Sequence, residues 1–218
     1  MNKEILNFQK VHMDGFRGNA VTFGNAKLPD TTAIFNMGPA FHCPADALGM
    51  CAVSSLCYAK KSERMYPVVF EKNECCEAFF DKADAQHVHD LIKLYWDSKK
   101  TKADKLRISE ASDFKSQEAV NKMDEVAKML KKDTGMDTYV YTARKDLDFT
   151  GVRNMIVVGS SEEIKGASRY FKAVPKEVFD SLPKGALKYH GTTPGCKTCN
   201  LCSNPKLPQG SVIYCKYH

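Results

Sequence analysis

Long apolar runs are missing from this sequence, and so are the short motifs of several large enzyme classes. No segment approaches the roughly 18–20 consecutive apolar residues that a membrane-spanning helix needs. The first residues, 1–4, lack the basic and then apolar order of a signal peptide. There is no G-x-S-x-G elbow, Walker loop, dinucleotide-binding G-x-G-x-x-G, H-E-x-x-H or C-x3-C-x2-C motif. We therefore expect a cytoplasmic protein that makes no use of a membrane.

A strong charge of one sign is also missing, because 32 Lys and Arg residues stand against 26 Asp and Glu residues, a net charge of +6. The densest basic cluster, residues 99–105, includes an aspartate and is typical of a solvated loop. A basic protein attracts polyanions without a specific site. Since no zinc finger, helix-turn-helix or aromatic RNA-binding signature is present, the sequence allows a nucleic-acid partner but does not predict one.

Cysteine, by contrast, is abundant, with nine residues in a chain of 218. Secreted proteins use such numbers for disulfides, but nothing in the sequence points to secretion. In a reducing cytosol, clustered cysteines are more often metal ligands or catalytic thiols. An odd number also disfavours complete disulfide pairing, so we expect a metal site.

The pattern of apolar residues predicts alternating strands and helices in one domain. Strand-like segments are residues 32–40, 105–109, 138–142, 154–158 and, as an edge strand, 173–175. Helical segments are residues 53–80 with a break at Pro67, 85–97, 116–131 and 162–171, whereas residues 1–30 suggest short strands or loops. This order predicts an α/β fold, with a partly parallel sheet or an incomplete barrel flanked by helices, over residues 1–183. Residues 184–218 predict an irregular cysteine-rich C-terminal tail that packs on the same domain and depends on a metal for its order.

Polar side chains in and after two of these strands suggest a ligand pocket. In parallel α/β folds, ligands bind beyond the carboxyl ends of the strands. The residues that this rule brings to one edge are Arg107, Ser109, Glu110, Asp113, Tyr141 and Arg144. Two alternatives stay open, because Ser112 or Asp113 would also cap the next helix, and Arg144 would either bind an anion or be solvated.

The strongest local motif is the C-x2-C-x2-C run formed by Cys196, Cys199 and Cys202, here called the C-terminal triple. Two-residue gaps let a turning backbone direct successive thiolates at one centre. Zinc sites more often use pairs of C-x2-C knuckles, so the triple favours an iron–sulfur cluster, most simply 4Fe-4S, over zinc. A thiol redox pair at Cys199 and Cys202 is a further alternative, although no thioredoxin-like context surrounds it.

Three thiolates need a fourth ligand, and a second group of cysteines, the upstream triple, consists of Cys43, Cys51 and Cys57. Either one of these completes a single four-iron cluster, which needs fewer assumptions, or each triple holds a cluster of its own. Alone, the upstream cysteines would also fit small buried residues of a helix. Adjacent Cys75 and Cys76 indicate core positions. Spare ligands would be His42, Cys215 and His218.

These motifs, taken in order, resemble the phage-encoded gene product eighty-eight family. The similarity spans residues from about 20 to 218 and rests on Gly24-Asn25-Ala26-Lys27, Phe35-Asn36, His42-Cys43-Pro44, Cys57-Tyr58-Ala59, segments 107–114 and 139–142, the C-terminal triple and a closing histidine. The resemblance implies a viral or mobile-element protein of the host cytoplasm that uses the cysteines of both triples, and it implies no particular reaction. It also leads us to expect glycine where this chain has Ala111-Ser112.

Two functional hypotheses follow from these observations. The first is an iron–sulfur protein whose cluster lies at the mouth of an α/β domain, beside the polar pocket, in a structural, redox or catalytic role. The second is a zinc-stabilised, non-enzymatic module that binds a host protein or nucleic acid, which the positive charge and the cysteine-rich tail would suit.

Overall fold

The computed structural model describes residues 2–189 and 196–216 of the chain. The helices of this part are α1 Lys3–His12, α2 Pro44–Ala47, α3 Tyr58–Met65, α4 Pro67–Lys82, α5 Ala85–Asp97, α6 Gln117–Thr134, α7 Lys176–Ser181 and α8 Cys196–Cys199. The strands are β1 Val21–Phe23, β2 Thr32–Phe35, β3 Lys105–Ile108, β4 Asp137–Thr142, β5 Met155–Gly159, β6 Arg169–Val174, β7 Leu187–Tyr189 and β8 Ser211–Lys216. Two 3-10 turns, Ala40–His42 and Ser54–Leu56, flank α2.

The strands of the described residues form one eight-stranded sheet in the order β1-β2-β3-β4-β5-β6-β8-β7. Within these residues β1 is antiparallel to β2, and the other neighbouring strands pair in parallel. The register sets Phe35, Ile108, Val140 and Val157 side by side, and all four are fully buried. Such continuous apolar burial is typical of parallel strands. The predicted α/β fold with a partly parallel sheet is confirmed.

One face of the sheet packs against α5 and α6 and holds the main core. Leu91 of α5 and Val120 of α6 are fully buried in it. Helix α6 begins after Ser116, whose hydroxyl accepts the N–H of Ala119, and ends at Gly135, which has a φ of 77°. Both helices repeat apolar residues at the helical period, which is why their positions follow from the sequence. No helix in the described ranges has the length and apolar content needed to span a bilayer.

The opposite face of the sheet carries the side chains that alternate with this core. In β3, Leu106 and Ile108 belong to the core, so Arg107 between them points the other way. Tyr139 and Tyr141 of β4 share the face of Arg107. Residues 196–203 lie against these side chains and enclose a small cavity with them. The two-residue period of the strands thus decides which polar groups lie beneath the C-terminal triple.

Three predictions of local structure are wrong. Residues 162–171 form turns and the start of β6 instead of a helix, because Gly166 has a φ of 79° and a Cβ there would clash with the Thr150 nitrogen. Strand β6 lies between β5 and β8 and is not an edge. Helix α1 replaces the loops expected at the start of the chain, since Asn2 caps it and Ile5 anchors it in the core.

The C-terminal tail is more regular than its composition predicts. Strand β8 pairs with β6 over six residues, from Arg169↔Ser211 to Val174↔Lys216, and also with β7. Ile213, at the middle of β8, is fully buried. The last described residues are therefore held by sheet hydrogen bonds and apolar packing. The dependence of the tail on a metal for its order stays a prediction.

Candidate metal centre and strand-end network

All nine cysteines lie in the described residues, and each is a free thiol. Cys76 is buried in the core, as predicted for it, whereas Cys75 lines an open cleft between α1 and α4. Cys215 is buried in β8, and His218 lies outside the described residues. The six cysteines of the two triples are half-buried, so their thiols are accessible enough to bind a ligand and sheltered enough to hold it.

The C-terminal triple is presented by one helical turn and the loop after it. Cys196 and Cys199 are the first and last residues of α8, and Cys202 follows in the next turn. Asn200 changes the chain direction there, with a φ of 54° in the left-handed region. The Cys196 thiol forms a hydrogen bond with the Tyr189 hydroxyl at 3.5 Å. This short turn keeps all three thiols close to the polar face of the sheet.

A stacked arginine lies beneath these thiols. The Arg107 guanidinium carbon is 4.3 Å from the ring centre of Tyr141 and 5.4 Å from that of Tyr139. With residues of α8, these side chains line a cavity of about 70 Å³. Burial raises the pKa of the Cys202 thiol to about 11, while the Tyr141 hydroxyl and the Arg107 charge act to lower it. Tyr141 and Arg107 therefore offset only part of the cost of placing a negative charge on this buried sulfur.

A second arginine holds the loop that carries Cys202. Arg169 is 2% exposed, and its Nη1 donates to the carbonyl oxygens of Leu201 at 2.8 Å and Asn204 at 2.9 Å. Within the part of the chain that the structure describes, the Nε atoms of Arg169 and Arg107 are buried without a hydrogen-bond partner. Neither guanidinium forms an ion pair with a carboxylate of the described residues. Two incompletely paired cations thus face the C-terminal triple, which is the surrounding that an anionic group would need.

The upstream triple is built from short turns at the carboxyl end of β2. Cys43 precedes α2, and Cys57 precedes α3. The Cys51 N–H donates to the Ala45 carbonyl at 3.2 Å, which folds the segment back on α2. Burial raises the pKa of Cys43 to about 11, against the backbone N–H groups of Asp46 and Ala45, which act to lower it. The sulfur of Cys43 therefore already faces backbone donors.

A buried carboxylate connects these turns to the rest of the fold. Glu63 is 3% exposed and accepts the N–H groups of Ala40 at 2.9 Å and Phe41 at 3.3 Å. Its Oε1 also accepts from the Asn73 amide at 2.8 Å, and Asn73 in turn accepts from Asn36 at 3.1 Å. The segment that leads to Cys43 is thus fixed by α3 and α4 through hydrogen bonds rather than through a large apolar core.

Asp113 and Arg144, two residues of the predicted pocket, are engaged in internal contacts. Asp113 accepts from the Thr142 hydroxyl at 2.8 Å and from the Ala143 N–H at 2.7 Å, and burial raises its pKa to about 6. Arg144 is paired with Asp146 through two bonds of 2.8 and 2.7 Å, and it also donates to backbone carbonyls. Of the two alternatives for Arg144, the solvated side chain is wrong because Arg144 is 4% exposed, whereas anion binding stays a prediction. The helix cap is Ser116, not Ser112 or Asp113.

The loop after β3 is left-handed at two residues. Ser109 has a φ of 50° and Ser112 a φ of 68°, in the region that favours glycine. Glycine was expected from the family pattern near Ser112, and the backbone keeps the conformation that glycine adopts most easily. Glu110, between them, accepts two bonds from the Asn25 amide, and its carbonyl accepts the Tyr58 hydroxyl at 3.1 Å. Strain of this kind is often found at functional sites.

The structure separates the predicted site residues into two groups. Arg107 and Tyr141 lie with the C-terminal triple, whereas Ser109, Asp113 and Arg144 lie at the strand ends, where Asp113 acts on the pKa of Cys43. Neighbouring thiols contribute to the raised pKa values, since Cys51 acts on Cys43, Cys57 acts on Cys51, and Cys196 and Cys199 act on Cys202. As their side chains stand, no three His, Cys, Asp or Glu residues of ranges 2–189 and 196–216 are placed to hold a metal ion.

Several contributing residues were missed by the sequence analysis. Tyr139 could have been found, because it shares the strand face of Tyr141 at a spacing of two. Tyr189 and Arg169 had no local signal, since their roles depend on how the tail folds back. Glu63 reads as an ordinary surface residue of α3, and only its burial reveals the backbone groups that it binds.

Comparison with known proteins gives one match. Neither the curated proteins nor the solved structures contain a match to this chain. The family model described as Gene product 88 matches residues 13–208, which include both cysteine triples and all strands from β1 to β7. Because this match covers most of the sequence, the chain belongs to the Gene product 88 family.

Proposed function

We propose that this protein binds an iron–sulfur cluster through its two cysteine triples, with the C-terminal triple as the principal site. We further propose that it acts in the cytoplasm of a phage-infected host cell. The observation that carries the proposal is the placement of three free thiols against the buried guanidinium groups of Arg107 and Arg169, neither of which has a carboxylate partner in the described residues. Thiolate-bound clusters are anionic, and such cations would balance their charge.

The donor set fits a thiolate-ligated centre in its chemistry. The thiols are free, and hydroxyl groups of Tyr141 and Tyr189 reach Cys202 and Cys196. Hydrogen bonds to ligating sulfur are the outer-shell contacts that hold and tune such centres. The cysteine side chains of the described residues do not converge on a common point as they stand, so they would have to rotate toward one to bind a cluster.

The residues around the triple define what the chain itself would contribute. A bound cluster would supply one-electron redox chemistry or a Lewis-acidic iron. Arg107 and Arg169 would stabilise the thiolate form of the ligands, and binding would release protons from thiols such as Cys202, whose pKa of about 11 keeps it protonated in the metal-free chain. The aromatic side chains of the cavity would limit the access of water.

Anaerobic purification followed by an absorption spectrum and iron, sulfide and zinc analysis tests the proposal. We expect a coloured protein with iron matched by acid-labile sulfide. The variant C202S should lose most of this iron, whereas the control C75S, which alters a half-buried cysteine outside both triples, should retain it. A colourless protein without iron and sulfide would refute the proposal, and stoichiometric zinc in its place would identify a structural zinc clasp.

A further inference from the structure

We propose that the cavity beneath the C-terminal triple is a binding site for a small divalent oxyanion of the size of phosphate, with the Arg107 guanidinium as its principal anchor. This inference goes beyond the proposed function, because the site consists of side chains of the metal-free chain and needs no cluster. Three features of the cavity support it, namely the sign of its charges, the unpaired donor of Arg107 and the limited volume.

The charged side chains that line this cavity are positive. Lys105 and Arg107 belong to its wall, whereas no aspartate or glutamate of the described residues does. Arg169 lies within electrostatic reach of Tyr141 and Cys202, which are also part of the wall. Three cations therefore act on one small space, and such an excess of one sign attracts a counter-ion, most strongly one that carries more than a single charge.

Arg107 has a hydrogen-bond donor to offer in this space. Its Nε is buried and has no partner among the described residues. The guanidinium lies over the Tyr141 ring, so its N–H groups remain available at the edge of the guanidinium plane, the geometry in which arginine binds oxyanions. Glu110 also acts on Arg107, but its carboxylate accepts from the Asn25 amide at 3.1 and 2.9 Å. A bound oxyanion would thus pair a buried donor whose desolvation is otherwise uncompensated.

The Cys202 thiol and the phenols near Arg107 are uncharged at neutral pH. Burial raises the pKa of Cys202 to about 11, so this thiol keeps its proton in the metal-free chain. Burial also raises the pKa of Tyr58 to about 12, and it raises the pKa values of Tyr139 and Tyr141. These groups therefore provide no negative charge that would neutralise Arg107, whereas a neutral phenol is able to donate a hydrogen bond to an oxyanion.

The volume of the cavity limits the size of the ligand. At about 70 Å³ it has room for roughly five water-sized groups, which is the size of a tetrahedral oxyanion such as phosphate. Its wall is held in place by hydrogen bonds, since Arg169 donates to the carbonyls of Leu201 and Asn204, and Lys105 Nζ donates to Asn200 at 2.7 Å. A space that is small and already formed suits a free oxyanion better than a polyanion such as nucleic acid.

Isothermal titration calorimetry of the full-length metal-free protein with inorganic phosphate, in a chloride buffer near neutral pH, tests this site. We expect one phosphate per chain, competition by sulfate, and weaker binding of acetate, which carries a single charge. The variant R107M should bind phosphate roughly tenfold or more weakly, because it loses both the charge and the hydrogen bonds of the guanidinium. The control R153M, which removes an arginine whose contacts are exposed, should bind phosphate like the wild type.

Thermal unfolding with and without phosphate separates a binding role of Arg107 from a structural one. Phosphate should raise the melting temperature of the wild type and of R153M, but not that of R107M. If R107M does not fold, R107K, which keeps the charge but lacks the guanidinium fork, replaces it and should also bind more weakly. The inference is overturned if the wild type does not bind phosphate, if the Arg107 variant binds it as tightly as the wild type, or if acetate binds as tightly as phosphate. Iron and sulfide in the protein as first purified decide the proposed function separately.

Discussion

The C-terminal triple and the upstream triple each offer three thiols, beside different charged groups. At Cys202, Arg107 acts to lower the thiol pKa. At Cys43 and Cys51, the carboxylates of Asp113 and Asp46 act to raise the thiol pKa, while Arg144 and Lys60 also lie within electrostatic reach of Cys43. The upstream triple thus lies among charges of both signs, whereas arginine side chains are the charged groups beside Cys202.

The two regions also differ in how they are held and covered. The C-terminal triple packs on a stacked aromatic and arginine face, whereas the upstream turns depend on carboxylates that bind backbone N–H groups. The segment around the upstream triple exposes many large apolar side chains, namely Phe41, Leu48, Val53, Leu56, Tyr58, Met65, Tyr66 and Val68. The upstream region is thus the more open one, and its order depends on a few polar contacts that mutation can remove singly.

The largest effect is expected from E63A, which removes the carboxylate under the upstream turns. Loss of this group leaves two backbone N–H donors and the Asn73 amide unpaired in a buried position, at a cost of about 4 kcal/mol in the free energy of unfolding. Urea denaturation measures the cost, and hydrogen exchange should show lost protection at residues 40–57. E63Q, which keeps one acceptor, should lose less. Equal loss at residues 211–216 would contradict the separation of the two regions.

The next largest effect is a pH dependence of the free energy of unfolding, which is caused by Asp113. Burial raises the pKa of Asp113 to about 6 from its ordinary value of 3.8, so between these pH values the folded chain retains a proton that the unfolded chain has lost. The contribution of Asp113 to the free energy of unfolding is therefore fully present below about pH 4, and it declines by roughly 3 kcal/mol as the pH rises through 6. Urea unfolding from pH 4 to 7 should show this decline in the wild type relative to D113N. A difference in the free energy of unfolding between the wild type and D113N that does not change with pH would contradict this prediction.

The helices and parallel strands were predictable because their signals are local and periodic. Helix α5 occupies the very residues that its apolar spacing predicts, 85–97. Strand β8 was not predictable in the same way, because its burial depends on pairing with β6, which lies about 40 residues earlier in the chain. The thiols of the site follow from composition and spacing. The roles of Arg169 and Glu63, which support the two triples, could not be predicted from composition and spacing. A charged residue is recognised as buried only once its partners are known.

A smaller effect is expected from R169M, which acts on the C-terminal region alone. The substitution leaves the carbonyls of Leu201 and Asn204 without their donor, and we expect a loss of about 2 kcal/mol. Hydrogen exchange should increase at residues 199–206 and remain unchanged at residues 40–57. The control R153M alters an arginine whose contacts are exposed, and it should be nearly neutral. Increased exchange in the upstream turns would show that the two regions are coupled.

The smallest effect is expected from Y141F, which tests the electrostatics of the C-terminal triple most directly. The Tyr141 hydroxyl acts to lower the pKa of Cys202, so its removal should raise that pKa above about 11 and cost about 1 kcal/mol of stability. Peptide mass spectrometry across a pH series measures the rate at which Cys202 is alkylated in the metal-free protein. This rate should be lower in Y141F than in the wild type, because the thiolate is the reactive form. Alkylation of Cys43 should be unchanged, as should both rates in the control Y170F. A faster reaction at Cys202 would mean that the hydroxyl shields the thiol rather than stabilising its anion, and the charge contrast between the two triples would then rest on Arg107 alone.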